Sequence, residues 1–224
     1  MTDSTSAHPP SSKPDATTHP TKDARQPAPT PSRAAELSSL TIRLRRALKQ
    51  YPDFPLPGIL FEDILPIFAD PSLHQDLVRA LEIYVLSTYP GDKTPDVLLG
   101  LESRGFLFGP SLALRLGAAF VPVRKQGKLP GPTETAAFEK EYGKDFFEVQ
   151  KEAIKPGQKI LVVDDIIATG GSAAAAGSLA RRCGGVLLGY MFILELNFLK
   201  GREKLDAPVY TLLSSQDGSL SDDA

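Results

Sequence analysis

A loop of small residues follows a short apolar run that begins at Ile160, and it reads Ala168, Thr169, Gly170, Gly171 and Ser172. Glycine lets the backbone come close to a ligand, so several N–H groups of such a loop can converge on one anion. The two hydroxyl side chains add donors, and a helix predicted to begin near Ala173 directs its positive end to the same place. The pattern predicts a cradle for a phosphate group. An ordinary turn between a strand and a helix is the alternative, and the loop matches neither GxxxxGK[ST] nor GxGxxG.

Asp164 and Asp165 stand between the apolar run and this loop. Two carboxylates repel a phosphate, so their position is explained if the ligand also offers hydroxyl groups or a divalent cation. A ribose 5-phosphate suits both features, because its phosphate enters the loop and its ring hydroxyls donate to the carboxylates. The arrangement predicts Mg²⁺ as the cofactor, held mainly by the substrate and assisted by the two Asp side chains.

Ser103 and Arg104 follow another apolar run, which ends at Gly100. The guanidinium of Arg104 forms a fork that suits an oxyanion, and the amides of the loop add further donors. This position predicts a second anion site, and an arginine on a solvated turn is the alternative.

Three cations, Arg124, Lys125 and Lys128, lie beyond a third apolar run at 119–123. In α/β proteins ligands bind outside the carboxyl ends of the strands, so these side chains can neutralise an anionic group there. A solvated basic turn explains the same residues equally well.

The elements that position these loops are short apolar strands, predicted at 96–100, 119–123, 159–163 and 186–194. Continuous rather than alternating apolar residues are typical of strands buried on both faces of a parallel sheet. Helical patterns occupy 36–50, 71–84, 106–116 and 173–183. The predicted fold class is α/β, with helices that cover a central, mostly parallel sheet.

Two segments lack a regular pattern. Proline interrupts residues 51–68, which predicts no regular structure there. Residues 129–144 contain Pro and Gly with little apolar periodicity, and we predict a flexible loop that closes over the substrate as a lid and excludes water.

Composition limits which partners and which cellular compartment are expected for this chain. The chain has 224 residues, of which 42% are hydrophobic, and a formal net charge of -2, so neither nucleic acid nor a membrane surface is an expected partner. Residues 1–35 are rich in Pro, Ser and Thr and predict a disordered tail, residues 214–224 predict a loose end, and residues 36–213 form the domain. The lone Cys183 and the absence of a long apolar run favour a cytoplasmic protein.

The segment ILVVDDIIATGGS, residues 160–172, resembles the phosphoribosyl pyrophosphate signature of the type I phosphoribosyltransferases. The resemblance implies that Asp164, Asp165 and residues 168–172 bind the ribose phosphate. It also implies that Ser103 and Arg104 form the pyrophosphate loop, which Arg124, Lys125 and Lys128 assist.

Five further segments resemble the adenine-specific family within that superfamily: 54–64, 101–110, 124–132, 141–144 and 199–205. The resemblance implies a small hood that binds adenine between Phe61 and Leu196, while backbone groups around Leu60 and Glu62 read the edge of the base. It implies that Glu141 acts on the purine as an acid, a base or a charge stabiliser, and that Arg104 takes part in catalysis. It further implies a homodimer, and AMP and pyrophosphate as products.

Two other functions remain open from the sequence. One is a catalytically silent regulator that senses phosphoribosyl pyrophosphate, although no added binding module is predicted in this chain. The other is a sister enzyme that uses a different purine.

Overall fold

The computed structural model describes residues 32–54, 57–139 and 144–215. Its first part contains helices and a two-stranded antiparallel sheet, in the order α1 (Arg33–Ala47), β1 (Lys49–Pro52), β2 (Leu60–Asp63), α2 (Leu65–Ala69) and α3 (Pro71–Thr88). Both α2 and α3 carry a proline in the first turn, where a helix does not need the missing N–H. The carboxylate of Asp70 caps α3 by accepting from the N–H groups of Ser72 and Leu73.

The second part alternates strands and helices: β3 (Val97–Leu101), α4 (Gly109–Leu116), β4 (Ala119–Lys125), β5 (Thr133–Glu139), β6 (Lys144–Gln150), β7 (Lys159–Ile167), α5 (Gly171–Arg182), β8 (Val186–Glu195) and β9 (Val209–Ser214). Within the described ranges, these strands form a sheet of seven in the order β5-β6-β4-β3-β7-β8-β9. The five strands from β4 to β9 along that order are parallel, whereas the β5–β6 hairpin joins β4 in antiparallel pairing.

Apolar side chains of the parallel strands are buried on both faces of the sheet. Leu98 and Leu161 pack in the layer that contains α1, α3 and α4, and their neighbours Leu99 and Val162 pack in the layer that contains α5. Successive residues of a strand point to opposite faces, so a strand covered on both sides must be apolar throughout. The predicted α/β fold with a mostly parallel sheet is confirmed.

The prediction of no regular structure over 51–68 is wrong. The chain forms β2 and α2 there, and the prolines occupy positions that spare the hydrogen bonds: Pro52 ends β1 and Pro66 lies in the first turn of α2. Proline therefore marks the ends of these short elements instead of preventing them.

The prediction of a loop over 129–144 is also wrong for much of its length, because β5 occupies Thr133–Glu139. This strand is fixed by its neighbours more than by its own apolar residues. It pairs along its length with β6, and Arg182 of α5 donates from Nη1 to the carbonyl of Thr135 at 2.7 Å. Residues 140–143 lie outside the described residues.

Regular structure extends a few residues beyond both ends of the predicted domain. Helix α1 begins at Arg33, and Ser32 caps it by accepting from the N–H of Ala35 at 3.2 Å. At the other end β9 runs to Ser214, and the N–H of Ser215 donates to the carbonyl of Glu195 at 2.8 Å. Three residues of the predicted N-terminal tail and one of the C-terminal tail are therefore part of regular structure. No helix in the described part of the chain is long and apolar enough to cross a membrane.

Candidate active site

A cavity of about 270 Å³ opens at the carboxyl ends of β3 and β7, which are neighbours in the sheet. It brings together the two predicted anion loops and the acid pair. Its lining consists of Glu102, Ser103, Arg104, Asp164, Asp165, Ile166, Ile167, Ala168, Thr169, Gly170, Gly171, Ser172, Ala173 and Phe192. Every residue predicted for the ribose phosphate is therefore on the wall of one cavity.

The loop 168–172 leads from β7 into α5. Gly170 is the N-cap residue and has a φ of 78°, a left-handed conformation that favours glycine. No side chain caps α5, so the N–H groups of its first turn are not satisfied by a capping side chain. Free N–H groups and the positive end of a helix form a suitable site for a phosphate.

The second loop begins at the end of β3 and continues as a 3₁₀ turn over Arg104–Leu107. The peptide bond between Glu102 and Ser103 is cis. Gly105 lies close to β7: a Cβ at this position would be 2.8 Å from the carbonyl oxygen of Val163. The absence of a side chain at Gly105 thus allows this loop to lie directly against the strand that carries the acid pair.

Arg104 contacts the acid pair. Its Nε lies 2.9 Å from Oδ2 of Asp165, whose side chain is only 2% exposed, and the contact is an ion pair without an aligned hydrogen bond. Burial raises the pKa of Asp164 well above its ordinary value, and the adjacent charge of Asp165 raises it further. Burial also raises the pKa of Asp165, although the Arg104 guanidinium opposes that shift. Carboxyls with raised pKa values on a cavity wall are typical of functional sites.

The three predicted cations do not line this cavity. Arg124 directs its guanidinium to Glu102, with Nε 3.2 Å from Oε2, and this contact lowers the pKa of Glu102. The backbone N–H of Lys125 donates to the same Oε2 at 3.0 Å, and that of Lys128 donates to Oε1 of Glu148 at 3.0 Å. Their role in binding pyrophosphate stays a prediction.

The predicted adenine residues lie on two elements. Leu60, Phe61 and Glu62 belong to β2, and Phe61 meets Phe54 edge to face with ring centroids 5.0 Å apart. Leu196 follows β8, and its N–H donates at 3.0 Å to the carbonyl of Ile167, which lines the cavity.

Neither Phe61 nor Leu196 lines the cavity itself. The side chain of Glu62 is buried and turned away from solvent, with Oε1 3.3 Å from both Nη1 of Arg45 and Nε2 of Gln50. Their predicted contacts with the base stay predictions. Glu141 lies outside the described residues.

Five residues of the cavity wall had no predicted role, namely Glu102, Ile166, Ile167, Ala173 and Phe192. Glu102 follows β3 directly and so lies beside the end of β4, because these strands are parallel neighbours in register. Phe192 is paired in register with Asp164 across β7 and β8. Strand order would have been needed to predict Phe192, since nothing in the local sequence places β8 next to β7, whereas Glu102 directly precedes Ser103 in the loop after β3.

Comparison with known proteins agrees with this geometry. A family model described as the phosphoribosyl transferase domain matches residues 67–219. The adenine phosphoribosyltransferase of Yarrowia lipolytica is 62% identical over 181 residues, which cover 81% of this chain and 99% of that protein.

Two solved structures are similar as well. The Saccharomyces cerevisiae adenine phosphoribosyltransferase, complexed with an imino-altritol bisphosphate and adenine, is 58% identical, has a TM-score of 0.77, and is matched over 79% of this chain and 99% of its own. The Trypanosoma brucei adenine phosphoribosyl transferase, in complex with AMP, pyrophosphate and ribose-5-phosphate, is 27% identical with a TM-score of 0.70 over 82% and 83% of the two chains. The chain therefore belongs to the phosphoribosyltransferase family and, within it, to the adenine phosphoribosyltransferases.

Proposed function

We propose that this chain transfers the phosphoribosyl group of phosphoribosyl pyrophosphate to adenine and releases AMP and pyrophosphate, a step of purine salvage. The observation that carries the proposal is the cavity in which Arg104 and Asp165 meet, because it joins an anion loop, an acid pair and a phosphate cradle. A ligand with an anion at each end and hydroxyls between them matches that order of groups.

The 5-phosphate is proposed to lie in the loop 168–172, where it accepts from N–H groups at the start of α5 and from the hydroxyls of Thr169 and Ser172. The ribose hydroxyls donate to Asp164 and Asp165. The pyrophosphate lies against Ser103 and Arg104, and the cations Arg124, Lys125 and Lys128 lie beyond it on and after β4.

In the proposed reaction N9 of adenine attacks C1 of the ribose as the bond from C1 to the pyrophosphate oxygen breaks. Positive charge develops on the ribose ring and negative charge on the leaving group, as in other glycosyl transfers. The protein positions both partners, and the guanidinium of Arg104 stabilises the charge on the pyrophosphate. The proton of adenine must leave, and Glu141 is proposed to accept it.

The donor groups of the cavity suit Mg²⁺. The ion binds one or two carboxylates together with substrate phosphates, and Asp164 and Asp165 supply carboxylates beside both anion loops. Among the described residues no group of three or more His, Cys, Asp or Glu side chains is placed to hold a metal ion, so most of the ligands would come from substrate and water. When bound, the ion supplies positive charge that neutralises pyrophosphate oxygens.

Adenine is proposed to lie between the ring of Phe61 and the aliphatic side chain of Leu196. A flat, neutral purine suits an aromatic face on one side and an apolar chain on the other. Backbone groups of Leu60 and Glu62 are proposed to read the edge of the base. The hydrogen bond from Leu196 to Ile167 supports this placement, because it ties one wall of the base site to the cavity.

A homodimer in the cytoplasm is the proposed assembly and location. The free thiol of Cys183 supports a reducing compartment, and burial raises its pKa, which makes it a poor nucleophile. Light scattering coupled to chromatography tests the assembly, and a fully active monomer would contradict it.

The function is tested by incubating the full chain with phosphoribosyl pyrophosphate and Mg²⁺ together with adenine, hypoxanthine or guanine. We expect AMP and pyrophosphate in equal amounts with adenine, and far slower conversion of the other bases. Turnover of another purine in preference to adenine would contradict the assignment, and so would binding of phosphoribosyl pyrophosphate without turnover of any base.

A further inference from the structure

The segment Leu199–Leu205 has no part in the proposed reaction, although its sequence resembles the adenine-specific family. The structure places it directly behind the phosphate loop. After β8 the chain forms two 3₁₀ turns, Asn197–Leu199 and Gly201–Lys204, before it enters β9. We name the second of these, Gly201–Lys204, the backing turn.

Gly201 packs backbone to backbone against the phosphate loop. A Cβ at Gly201 would overlap the carbonyl oxygen of Ala168 and would lie 2.8 Å from the nitrogen of Gly170. The packing is mutual, because a Cβ at Gly170 would overlap the carbonyl oxygen of Gly201 and lie 3.0 Å from its carbonyl carbon. No side chain fits between the two backbones, and Gly201 itself is buried.

Arg202 holds the backing turn in place. Its Nε donates to Oε1 of Glu195 at 3.1 Å, its Nη1 to the carbonyl of Val209 at 2.6 Å, and its Nη2 to Oγ1 of Thr211 at 3.2 Å. Glu195 is largely buried, and the hydrogen bond from Arg202 lowers its pKa, so the pair stays ionised at neutral pH. The turn is therefore attached to β8 and β9 by a planar, multidentate group.

The pairing of Arg202 with Glu195 also bears on the start of the phosphate loop. Glu195 ends β8 and is paired in register with Ile167, the last residue of β7 before the loop. The backing turn thus approaches the loop from behind, while its anchor fixes the strand end from which the loop departs.

We propose that Gly201 is a positioning residue for the phosphate site, and that the backing turn, anchored by Arg202, sets the conformation in which the N–H groups of residues 168–171 converge on the 5-phosphate. The proposal rests on the proposed function, since it assigns that phosphate to this loop. It adds a role for a segment to which the proposed reaction assigns no contact with the ribose or the base, and it accounts for the close backbone packing at Gly201.

The test compares Gly201→Ala with Gly157→Ala. Gly157 has a φ of 83° with open space where a Cβ would lie, and it precedes β7 at the end of the strand remote from the cavity. Gly157→Ala is strained by its backbone conformation alone and loses thermal stability without touching the site. It is therefore the matched control for a glycine substitution that weakens the fold in general.

Calorimetry of the full chain with ribose 5-phosphate and, separately, with pyrophosphate measures the affinity of each of the two proposed anion loops for its ligand. For Gly201→Ala we expect about 10- to 100-fold weaker binding of ribose 5-phosphate, because a displacement near 1 Å removes aligned donors. Pyrophosphate affinity should be unchanged, and Gly157→Ala should bind both ligands like the wild type.

Arg202→Lys keeps the positive charge but loses the planar guanidinium that makes several hydrogen bonds at once. It therefore gives a second test of the proposal if Gly201→Ala does not fold. We expect a smaller loss that is again confined to ribose 5-phosphate, and Glu203→Ala, an exposed neighbour in the same turn, should show none. Wild-type affinity for ribose 5-phosphate in Gly201→Ala would overturn the proposal, as would equal losses for both ligands. If Gly201→Ala does not fold, wild-type affinity in Arg202→Lys would overturn it. A wild-type chain that binds no ribose 5-phosphate would instead overturn the proposed function, and this proposal with it.

Discussion

The guanidinium of Arg104 faces the carboxylate of Asp165, with Nε 2.9 Å from Oδ2, and this ion pair joins the loop after β3 to the end of β7. The two partners differ in their surroundings, because the Arg104 side chain is 46% exposed whereas that of Asp165 is 2% exposed. A half-exposed cation therefore balances a buried acid. Removing the cation and removing the acid should have unequal consequences for stability.

We expect Arg104→Gln to lower the free energy of unfolding by about 1–3 kcal/mol, because a buried carboxylate loses its charged partner. Asp165→Asn should cost less, since it removes a charge that burial disfavours and leaves a half-exposed guanidinium that water can solvate. Arg104→Gln should lower the free energy of unfolding by less in the Asp165→Asn background than in the wild type. Thermal melts of the four proteins form a double-mutant cycle, and an equal cost of Arg104→Gln in both backgrounds would contradict the pairing.

Asp164→Asn should stabilise the protein measured without added ligand. The pKa of Asp164 is raised well above 3.8 in the folded chain, so its contribution to stability is present at low pH and is lost as the pH rises through the raised value. Asn cannot ionise and keeps an oxygen that can accept from the N–H of Asp165. The gain in melting temperature over the wild type should therefore grow as the pH rises above about 4, the ordinary pKa of the carboxyl, with about 2–4 °C for each kcal/mol. A gain that is constant over this range would be inconsistent with a raised pKa.

Glu141→Leu should reduce kcat by about 10²- to 10⁴-fold, the usual contribution of a general acid or base. The affinity for phosphoribosyl pyrophosphate should stay near that of the wild type, because Glu141 is proposed to act on the purine. Initial rates and calorimetry on the same preparation separate the two effects. An unchanged kcat would exclude the proposed role.

Phe61→Ala should raise the KM for adenine by about 5- to 150-fold, because an aromatic ring contributes about 1–3 kcal/mol when a base stacks on it. The KM for phosphoribosyl pyrophosphate should not change. Phe146→Ala provides the control, since Phe146 is a partly exposed ring on the hairpin strand β6. A similar rise in both KM values would contradict a stacking role for Phe61.

Much of the candidate site could be predicted because its parts are contiguous in the chain. The acid pair, the loop 168–172 and the start of α5 follow one another directly, and the continuous apolar run before them is typical of a strand in a parallel sheet. The loop at Ser103 and Arg104 has the same order of strand, loop and helix. Local sequence was sufficient for these features.

Contacts between distant segments could not be predicted in the same way. The packing of Gly201 on Ala168 and the pairing of Arg124 with Glu102 join residues that only the strand order brings together. The strand β5 was missed because its pairing with β6, and not its own apolar pattern, fixes its conformation.

The central claim is that separate loops at the ends of β3 and β7 hold opposite ends of one sugar bis-anion, and calorimetry with the two fragments tests it most directly. In the presence of Mg²⁺, pyrophosphate should bind to protein already saturated with ribose 5-phosphate, and phosphoribosyl pyrophosphate should displace both. Complete mutual exclusion of the two fragments, or no heat of binding with phosphoribosyl pyrophosphate, would contradict the claim.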